Sequence, residues 1–237
     1  LVFGIMTGMA QGFSILISQY YGAGEKENLK RAVAKSYVLT AILSIIVLVL
    51  SEVTVQQVLQ FLHTPENVIG LSLMYIRMVF AGIPIIAAYN IFAAILRALG
   101  NSRSPLIAMI MAAFINVGLD LLFVAVFGWG VLGAAIATVI AQGVSGIGIT
   151  IAALWKNPQL FPKKEQRIFR KTTFSEVGRY AFFTCLQQSV MNFGILMIQG
   201  LVNSFGPVVM AAFAAAVKID SFAYLPVQDF GNAYSTF

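Results

Sequence analysis

Long apolar runs separated by short polar breaks make up most of this chain. The runs, bounded by turn residues and charges, cover residues 1–21, 36–62, 68–96, 105–127, 131–155, 177–203 and 207–237. Each run is close to, or longer than, the ~20 apolar residues that a helix needs to cross a bilayer. The pattern therefore predicts an all-α polytopic membrane protein with about seven spans.

The composition agrees with this class of protein. Hydrophobic residues make up 59% of the chain and charged residues only 10%, whereas about a quarter of the residues in ordinary soluble domains are charged. The sequence contains no P-loop, HExxH or GxSxG motif. We therefore expect a protein that is not an enzyme and that needs no cofactor.

The positive charges mark alternate connections between the apolar runs. Thirteen of the fifteen Lys and Arg residues lie in or beside the connections around residues 22–35, 97–104 and 156–179. The intervening connections, 63–67, 128–130 and 203–207, contain none. This alternation follows the positive-inside rule, so we expect the basic connections to face the cytoplasm of a multi-pass plasma (inner) membrane protein. The net charge of +6 thus reflects topology, and we expect no nucleic-acid partner.

The longest polar stretch, residues 156–176, predicts a cytoplasmic linker. We expect it to separate an N-terminal part, residues 1–155, from a C-terminal part, residues 177–237. Both ends of the sequence lie inside apolar runs, and the first residue is not Met. We therefore expect a fragment of a longer protein, cut within a helix at each end.

Asp120 is the only charged residue among the 52 positions between Arg103 and Lys156. An ionised group at membrane depth is costly unless it is compensated, so such residues usually serve a function. Asn116 precedes Asp120 by four residues and therefore lies on the same helical face. We treat this pair as the first candidate site.

The apolar runs on either side of Trp129 predict a helical hairpin. Asp120 and Thr138 each lie nine residues from Trp129, and Asn116 and Gln142 each lie thirteen residues from it. At 1.5 Å per residue, the two pairs share depths of ~13 Å and ~20 Å below the turn. Their oxygen ligands suit Na⁺ or a titrating proton rather than a soft metal. The alternative is that Asn116 and Asp120 only join helices by hydrogen bonds.

Other charged residues within the runs are less specific. Glu52 lies eleven residues before position 63 and Arg77 eleven residues after position 66. The two residues share a depth, which predicts an ion pair between neighbouring helices. Lys218 and Asp220, together with Gln142, are candidates for a substrate path.

Five segments, residues 17–32, 95–105, 116–120, 129–142 and 218–237, resemble segments of one family, the multidrug and toxic compound extrusion (MATE) transporters. ISQYYGAGEKENLKRA (17–32) is similar to the segment that closes their second helix, and ILRALGNSRSP (95–105) to their fourth-to-fifth helix connection. NVGLD (116–120) and WGVLGAAIATVIAQ (129–142) resemble their fifth and sixth helices. KIDSFAYLPVQDFGNAYSTF (218–237) resembles their eighth helix, so the similarity covers essentially the whole chain.

The resemblance implies a bundle of two six-helix lobes, of which this chain would span helix two to part of helix eight. In the DinF-like branch, a fifth-helix Asn and Asp and a sixth-helix Thr form a cation site in the N-lobe. Asn116, Asp120 and Thr138 match these residues. The family's site also includes an Asp on the first helix, which would precede this chain.

The function implied by the resemblance is a Na⁺- or H⁺-coupled antiporter that exports organic, often cationic, drug-like compounds by alternating access. The alternatives are a lipid-linked saccharide flippase of the same superfamily, with Arg77 and Lys218 as cleft cations, and a membrane scaffold that transports nothing. We expect small organic substrates and membrane lipids as partners, and a monomer.

The charge pattern makes a prediction about topology. We expect Lys164→Cys to react only with thiol reagents that enter the cytoplasm, and Asn67→Cys to react with impermeant reagents outside intact cells. Both variants carry Cys185→Ala, which removes the single native cysteine. External labelling at both positions would overturn the assignment of the spans.

Overall fold

The computed structural model describes residues 2–62, 64, 66–156 and 171–236. Within these ranges the chain forms only helices and short connections, which confirms the all-α class. The elements are α1 (Val2–Gly22), α2 (Lys26–Phe61), α3 (Glu66–Ala81), α4 (Ile83–Ala98), α5 (Arg103–Asp120), a π-helix (Leu121–Val126), α6 (Gly130–Lys156), α7 (Lys171–Asn203) and α8 (Pro207–Thr236).

Most of the predicted spans correspond to helices that can cross a membrane. Among the described residues, five helices are long and apolar enough, and a sixth is obtained if α3 and α4 are counted together as one bent span. The seventh predicted span forms the helix α8. Residues 157–170, most of the predicted linker, lie outside the described residues, and α7 already begins at Lys171.

The predicted span 68–96 is broken in the middle. The segments Val68–Ala81 and Ile83–Ala98 meet at 50°. Pro84 lies in the first turn of α4, where a missing N–H does no harm, whereas its ring could not be accommodated within a continuous helix. Gly82 closes α3 by donating from its backbone N to the Val79 carbonyl oxygen at 3.0 Å. The bend therefore follows from the sequence at this point.

Helix α1 lies at the centre of the described part and packs against α7, α4 and α2. Its large side chains Met6, Met9, Phe13 and Ile17 are fully buried and recur every three or four residues. They form the main apolar core together with residues from α2, α4 and α7.

Another face of α1 carries Gly4, Gly8 and Gly12, one per turn, against α7. A Cβ atom at Gly8 would lie 2.8 Å from the Thr184 carbonyl oxygen, and one at Gly12 would lie 2.7 Å from the Ala181 Cα. Small residues allow membrane helices to approach this closely. The packing of α1 on α7 therefore requires glycine at these positions.

Polar contacts fix α7 near both of its ends. The Tyr20 hydroxyl of α1 donates to Glu176 Oε2 at 2.8 Å. At the opposite end, Asn203 Nδ2 donates to the Leu62 carbonyl oxygen, just after α2, at 3.0 Å. Helix α7 thus lies along the bundle of the preceding helices over its full length.

The predicted ion pair between Glu52 and Arg77 is confirmed. Arg77 Nε of α3 lies 3.6 Å from Glu52 Oε2 of α2, and both side chains are partly exposed. The pair joins neighbouring helices near the α2–α3 connection. Arg77, one of the two cations considered for the cleft of a flippase, is therefore already paired with a carboxylate.

The ion pair leads to a thermodynamic prediction. Glu52→Gln and Arg77→Gln should each lower the stability of the detergent-purified full-length protein by about 1 kcal/mol, the value typical of partly exposed pairs. The double variant should recover part of the summed loss, because neither charge is then left alone. Thermal unfolding of the four proteins measures this coupling, and strictly additive losses would show that the two residues do not interact.

The glycine face of α1 leads to a second prediction. Gly8→Ala should destabilise the protein by about 1–3 kcal/mol, because the new Cβ collides with the backbone of α7. Gly148→Ala on α6 is the matched control, since its Cβ would meet open space, and it should be neutral or stabilising. Thermal unfolding distinguishes the two variants, and an equal effect of both would contradict the close packing of α1 on α7.

Candidate functional site

The α5–α6 hairpin, which carries the predicted site, is closed by a turn of glycines and aromatic residues. Gly128 and Gly130 adopt positive φ angles of 69° and 54°, a region that favours glycine. The rings of Phe123 and Phe127 lie 5.1 Å and 5.4 Å from that of Trp129. The Trp129 backbone N donates to the Phe123 carbonyl oxygen at 2.9 Å. These contacts hold the ends of α5 and α6 together.

A π-helix follows directly after Asp120 and was not predicted from the sequence. Its residues, Leu121–Val126, include neither glycine nor proline. The Phe127 backbone N donates to the Leu122 carbonyl oxygen, five residues earlier, at 2.9 Å. Such wide turns are rare and are frequently found at functional sites. Asp120 therefore lies at a junction between two helix types.

Asn116 and Asp120 each present a buried polar atom that is not paired. Asp120 Oδ1 and Asn116 Nδ2 have no hydrogen-bond partner among the described residues. A buried polar group without a partner costs about 1–3 kcal/mol, and more if it is charged. The two residues lie one turn apart on α5, so this part of the helix can bind a ligand or ion that interacts with both side chains.

The register between α5 and α6 differs from the mirror symmetry about Trp129 that the sequence suggested. Mirror symmetry would place Ala108 opposite Thr150, but Ser145 Oγ donates to the Ala108 carbonyl oxygen at 3.2 Å. The π-helix contributes to the shift, because each of its turns holds more residues than a turn of α6. The predicted pairing of depths is therefore wrong by about one turn.

Three of the predicted site residues nevertheless line one cavity of about 280 Å³. Its wall includes Asn116, Thr138 and Gln142, together with Tyr89, Met109, Ala112, Ala113, Ala141 and Ser145. Asp120 is not part of this wall and lies one turn further along α5, beyond Asn116. The structure thus brings Asn116, Thr138 and Gln142 together and places the carboxylate next to them.

Thr138 keeps the capacity to bind a cation. Its Oγ1 donates to the Ala134 carbonyl oxygen at 2.9 Å, which fixes the hydroxyl but leaves its lone pairs free to accept. The carboxylate oxygen of Asp120, the amide oxygen of Asn116 and this hydroxyl are hard oxygen ligands. Such ligands suit an alkali or alkaline-earth cation, and the unpaired Asp120 Oδ1 is the atom that most needs one.

Two polar residues of the cavity wall were missed by sequence reasoning. Tyr89 comes from α4 and Ser145 from α6. Helix α4 reaches the site because Gly146 leaves room for it, with the Ile85 carbonyl oxygen 3.2 Å from the place where a Cβ would lie. The signal in the sequence was the polar pair Tyr89-Asn90 within an apolar run.

The other predicted substrate-path residues lie elsewhere. Lys218 and Asp220 are exposed on α8, and neither lines the cavity between α4, α5 and α6. Their assignment to a substrate path stays a prediction.

Comparison with known proteins identifies the family. The MatE family profile matches residues 1–122. The chain is 28% identical over 237 residues to the probable multidrug resistance protein YoeA of Bacillus subtilis strain 168, covering 97% of this chain and 51% of YoeA. It is therefore similar to about half of that protein.

Two solved structures show the same fold. An inward-facing MATE family transporter of the MOP superfamily superposes with a TM-score of 0.86 at 22% identity, over 95% of this chain and 52% of that protein. An outward-facing conformation gives the same TM-score and identity, over 99% of this chain and 53% of the transporter. The chain thus spans about half the length of the proteins it matches.

These findings confirm the family resemblance at the level of the family, while the DinF-like branch stays a prediction. The matched profile covers more than half of the sequence, and the helical architecture agrees with it. Since the profile matches 122 of the 237 residues, this chain belongs to the MatE family, and its apolar helices agree with a multi-pass plasma-membrane protein.

Proposed function

We propose that the full-length protein is an antiporter that exports organic, often cationic, drug-like compounds in exchange for Na⁺ or H⁺. The observation that carries the proposal is the buried, unpaired Asp120 Oδ1 beside the cavity lined by Asn116, Thr138 and Gln142. Names of similar proteins such as YoeA, a probable multidrug resistance protein, support the substrate class.

In this proposal Asp120 is the coupling group. A carboxylate in a poorly solvated place needs a compensating positive charge. Na⁺ or a proton supplies that charge on one side of the membrane, and Asn116 and Thr138 contribute neutral oxygen ligands to Na⁺. The compensated site favours one arrangement of the two lobes and the ionised site the other. The cation gradient thereby biases the equilibrium between inward- and outward-facing states.

The cavity supplies the place where a substrate would compete with the cation. Its volume of about 280 Å³ is slightly below the ~300–1,000 Å³ typical of ligand pockets. Tyr89 and Met109 offer apolar surface for an amphipathic compound, and Gln142 and Ser145 offer hydrogen bonds. A cationic compound held there would lie within a turn or two of Asp120, so the carboxylate would favour either the coupling ion or the drug.

The flippase alternative is weakened by the ion pair on α3. Lipid-linked saccharides carry phosphates, which call for several cationic side chains in the cleft. Arg77 was one of two candidates, and it lies 3.6 Å from Glu52. The other alternative, a scaffold without transport activity, differs from the antiporter in requiring no function of Asp120.

The proposed function predicts a graded series of variants. Asp120→Asn in the full-length protein should abolish cation-driven efflux while leaving expression nearly normal. Asn116→Ala and Thr138→Ala should each slow transport by about fivefold, because each removes one neutral ligand worth roughly 1 kcal/mol. Ethidium efflux from proteoliposomes, driven by an imposed Na⁺ or H⁺ gradient, measures the series and identifies the coupling ion.

Thr150→Ala is the matched control for Thr138→Ala. Both threonines lie on α6, and both hydroxyls donate to the carbonyl four residues earlier, Thr150 to Gly146 at 2.6 Å. Thr150 is outside the cavity wall, so its variant should transport normally. Full gradient-driven efflux by correctly inserted Asp120→Asn would refute the coupling role. Absence of gradient-driven efflux by the unmodified protein would favour the scaffold.

A further inference from the structure

A second and larger cavity, of about 390 Å³, opens between α2 and α4, away from the hairpin site. The residues that line it are mostly small or apolar, and three of them carry a hydroxyl group. They are Tyr37, Thr40, Ala41, Ser44 and Ile45 of α2, and Pro84, Ala87, Ala88, Ile91 and Phe92 of α4. None of these residues belongs to the wall of the first cavity. We call this cavity the α2–α4 crevice.

The crevice exists because the two helices meet through small residues next to the bend. Ala41, Ala87 and Ala88 leave space that larger side chains would fill. The 50° break at Gly82 directs α3 away from the line of α4, so α3 does not continue α4 along this side of α2. At the other end the rings of Tyr37 and Phe92 meet at 5.3 Å and limit the crevice.

Thr40 is the polar group that this crevice leaves without a partner. The residue is only 5% exposed, and its Oγ1 has no hydrogen-bond partner among the described residues. Ser36 and Ser44, one turn away on either side, each donate to a carbonyl of their own helix at 2.9 Å. Thr40 thus differs from its neighbours in having a buried hydroxyl without a hydrogen-bond partner, in a residue of the crevice wall.

The surroundings of the crevice indicate that a ligand would enter from the lipid. Ile45, in the crevice wall, is 58% exposed, and Ile42, Ile46 and Val49 are exposed on the same helix. Helix α2 is long and apolar enough to cross a membrane. Its exposed apolar side chains therefore face hydrocarbon, and the crevice opens toward them through Ile45.

Thr40 lies about one helical turn, ~6 Å, inside the predicted apolar run 36–62, close to the boundary between the ester region and the hydrocarbon of a leaflet. Lys30 and Arg31 belong to the basic connection that we expect at the cytoplasmic surface, and they precede Thr40 by ten and nine residues. By helical rise Thr40 lies ~14 Å further in than these cations. Residues 37–45 span about 12 Å of helix, close to the ~15 Å of hydrocarbon that one leaflet contributes.

We propose that the α2–α4 crevice binds one acyl chain of an ester-linked phospholipid from the cytoplasmic leaflet, whose ester carbonyl accepts a hydrogen bond from Thr40 Oγ1. The chain fills the apolar space between Ala41, Ile45 and Ala88. The headgroup lies toward the cations at the start of α2. This lipid site is separate from the cation and substrate site and does not depend on the proposed transport activity.

A photoreactive lipid tests the proposal. The full-length protein is reconstituted in vesicles of ester-linked phosphatidylethanolamine and phosphatidylglycerol, with a trace of phosphatidylglycerol that carries a diazirine in one acyl chain. After illumination and digestion, mass spectrometry quantifies the lipid adducts on residues 37–45 and 84–92. We expect adducts on both segments. An ether-linked probe of the same length should give about fivefold fewer, because it lacks the ester carbonyl.

Variants assign the effect to Thr40. Thr40→Val keeps the shape of the side chain and should lower ester-probe adducts by about fivefold, and it should no longer distinguish the ester probe from the ether probe. Ser36→Ala is the matched control and should behave as the unmodified protein, because its hydroxyl is already bonded to Ala32. Ala88→Phe should fill the crevice and remove the adducts.

Three results would overturn the proposal. Absence of adducts on the two segments of the unmodified protein would mean that lipid does not reach the crevice in the full-length molecule. Equal labelling by ester and ether probes would exclude the hydrogen bond from Thr40. Displacement of the adducts by excess tetraphenylphosphonium would indicate a site for organic cations rather than for lipid.

Discussion

The packing of α1 against its neighbours is the constraint on which the rest of the structure depends. Between membrane helices the hydrophobic effect gives little driving force, so close contact must supply the attraction. Helix α1 provides it in two ways: Gly4, Gly8 and Gly12 let α7 approach to backbone contact, while Met9 and Phe13 fill the space toward the core. Helix α4 packs on α1 as well, and it in turn positions α6 and the site.

The polar side chains of the bundle fall into two groups with different consequences. Ser36, Ser44, Thr138 and Thr150 donate to carbonyls three or four residues earlier, so their hydroxyls are satisfied within their own helix. Asn116, Asp120 and Thr40 keep a buried atom unpaired in the part of the chain that the structure describes. The cost of such atoms in an apolar setting explains why both proposed sites are found where these atoms lie.

The sequence predicted the architecture well and the local geometry less well. Apolar runs and the alternation of basic connections placed most of the helices, and the equal spacing of Glu52 and Arg77 from one connection predicted their contact, because long regular helices preserve spacing. The depth pairing of Asp120 with Thr138 was predicted from spacing and was wrong, because the contacts between α5 and α6 do not follow mirror symmetry about Trp129. Tyr89 was missed because its presence at the site depends on how α4 crosses α6, which is a tertiary property.

Both proposed sites lie beside an interruption of regular helix geometry. The break at Gly82 adjoins the α2–α4 crevice, and the π-helix begins directly after Asp120. A regular helix satisfies its backbone hydrogen bonds internally and can pack evenly against its neighbours. An interruption changes the direction or the register of one helix against the next, and the mismatch opens a cavity. Pro84 allows the break at Gly82 to be predicted from the sequence. The π-helix could not be predicted, because its residues would equally suit an α-helix.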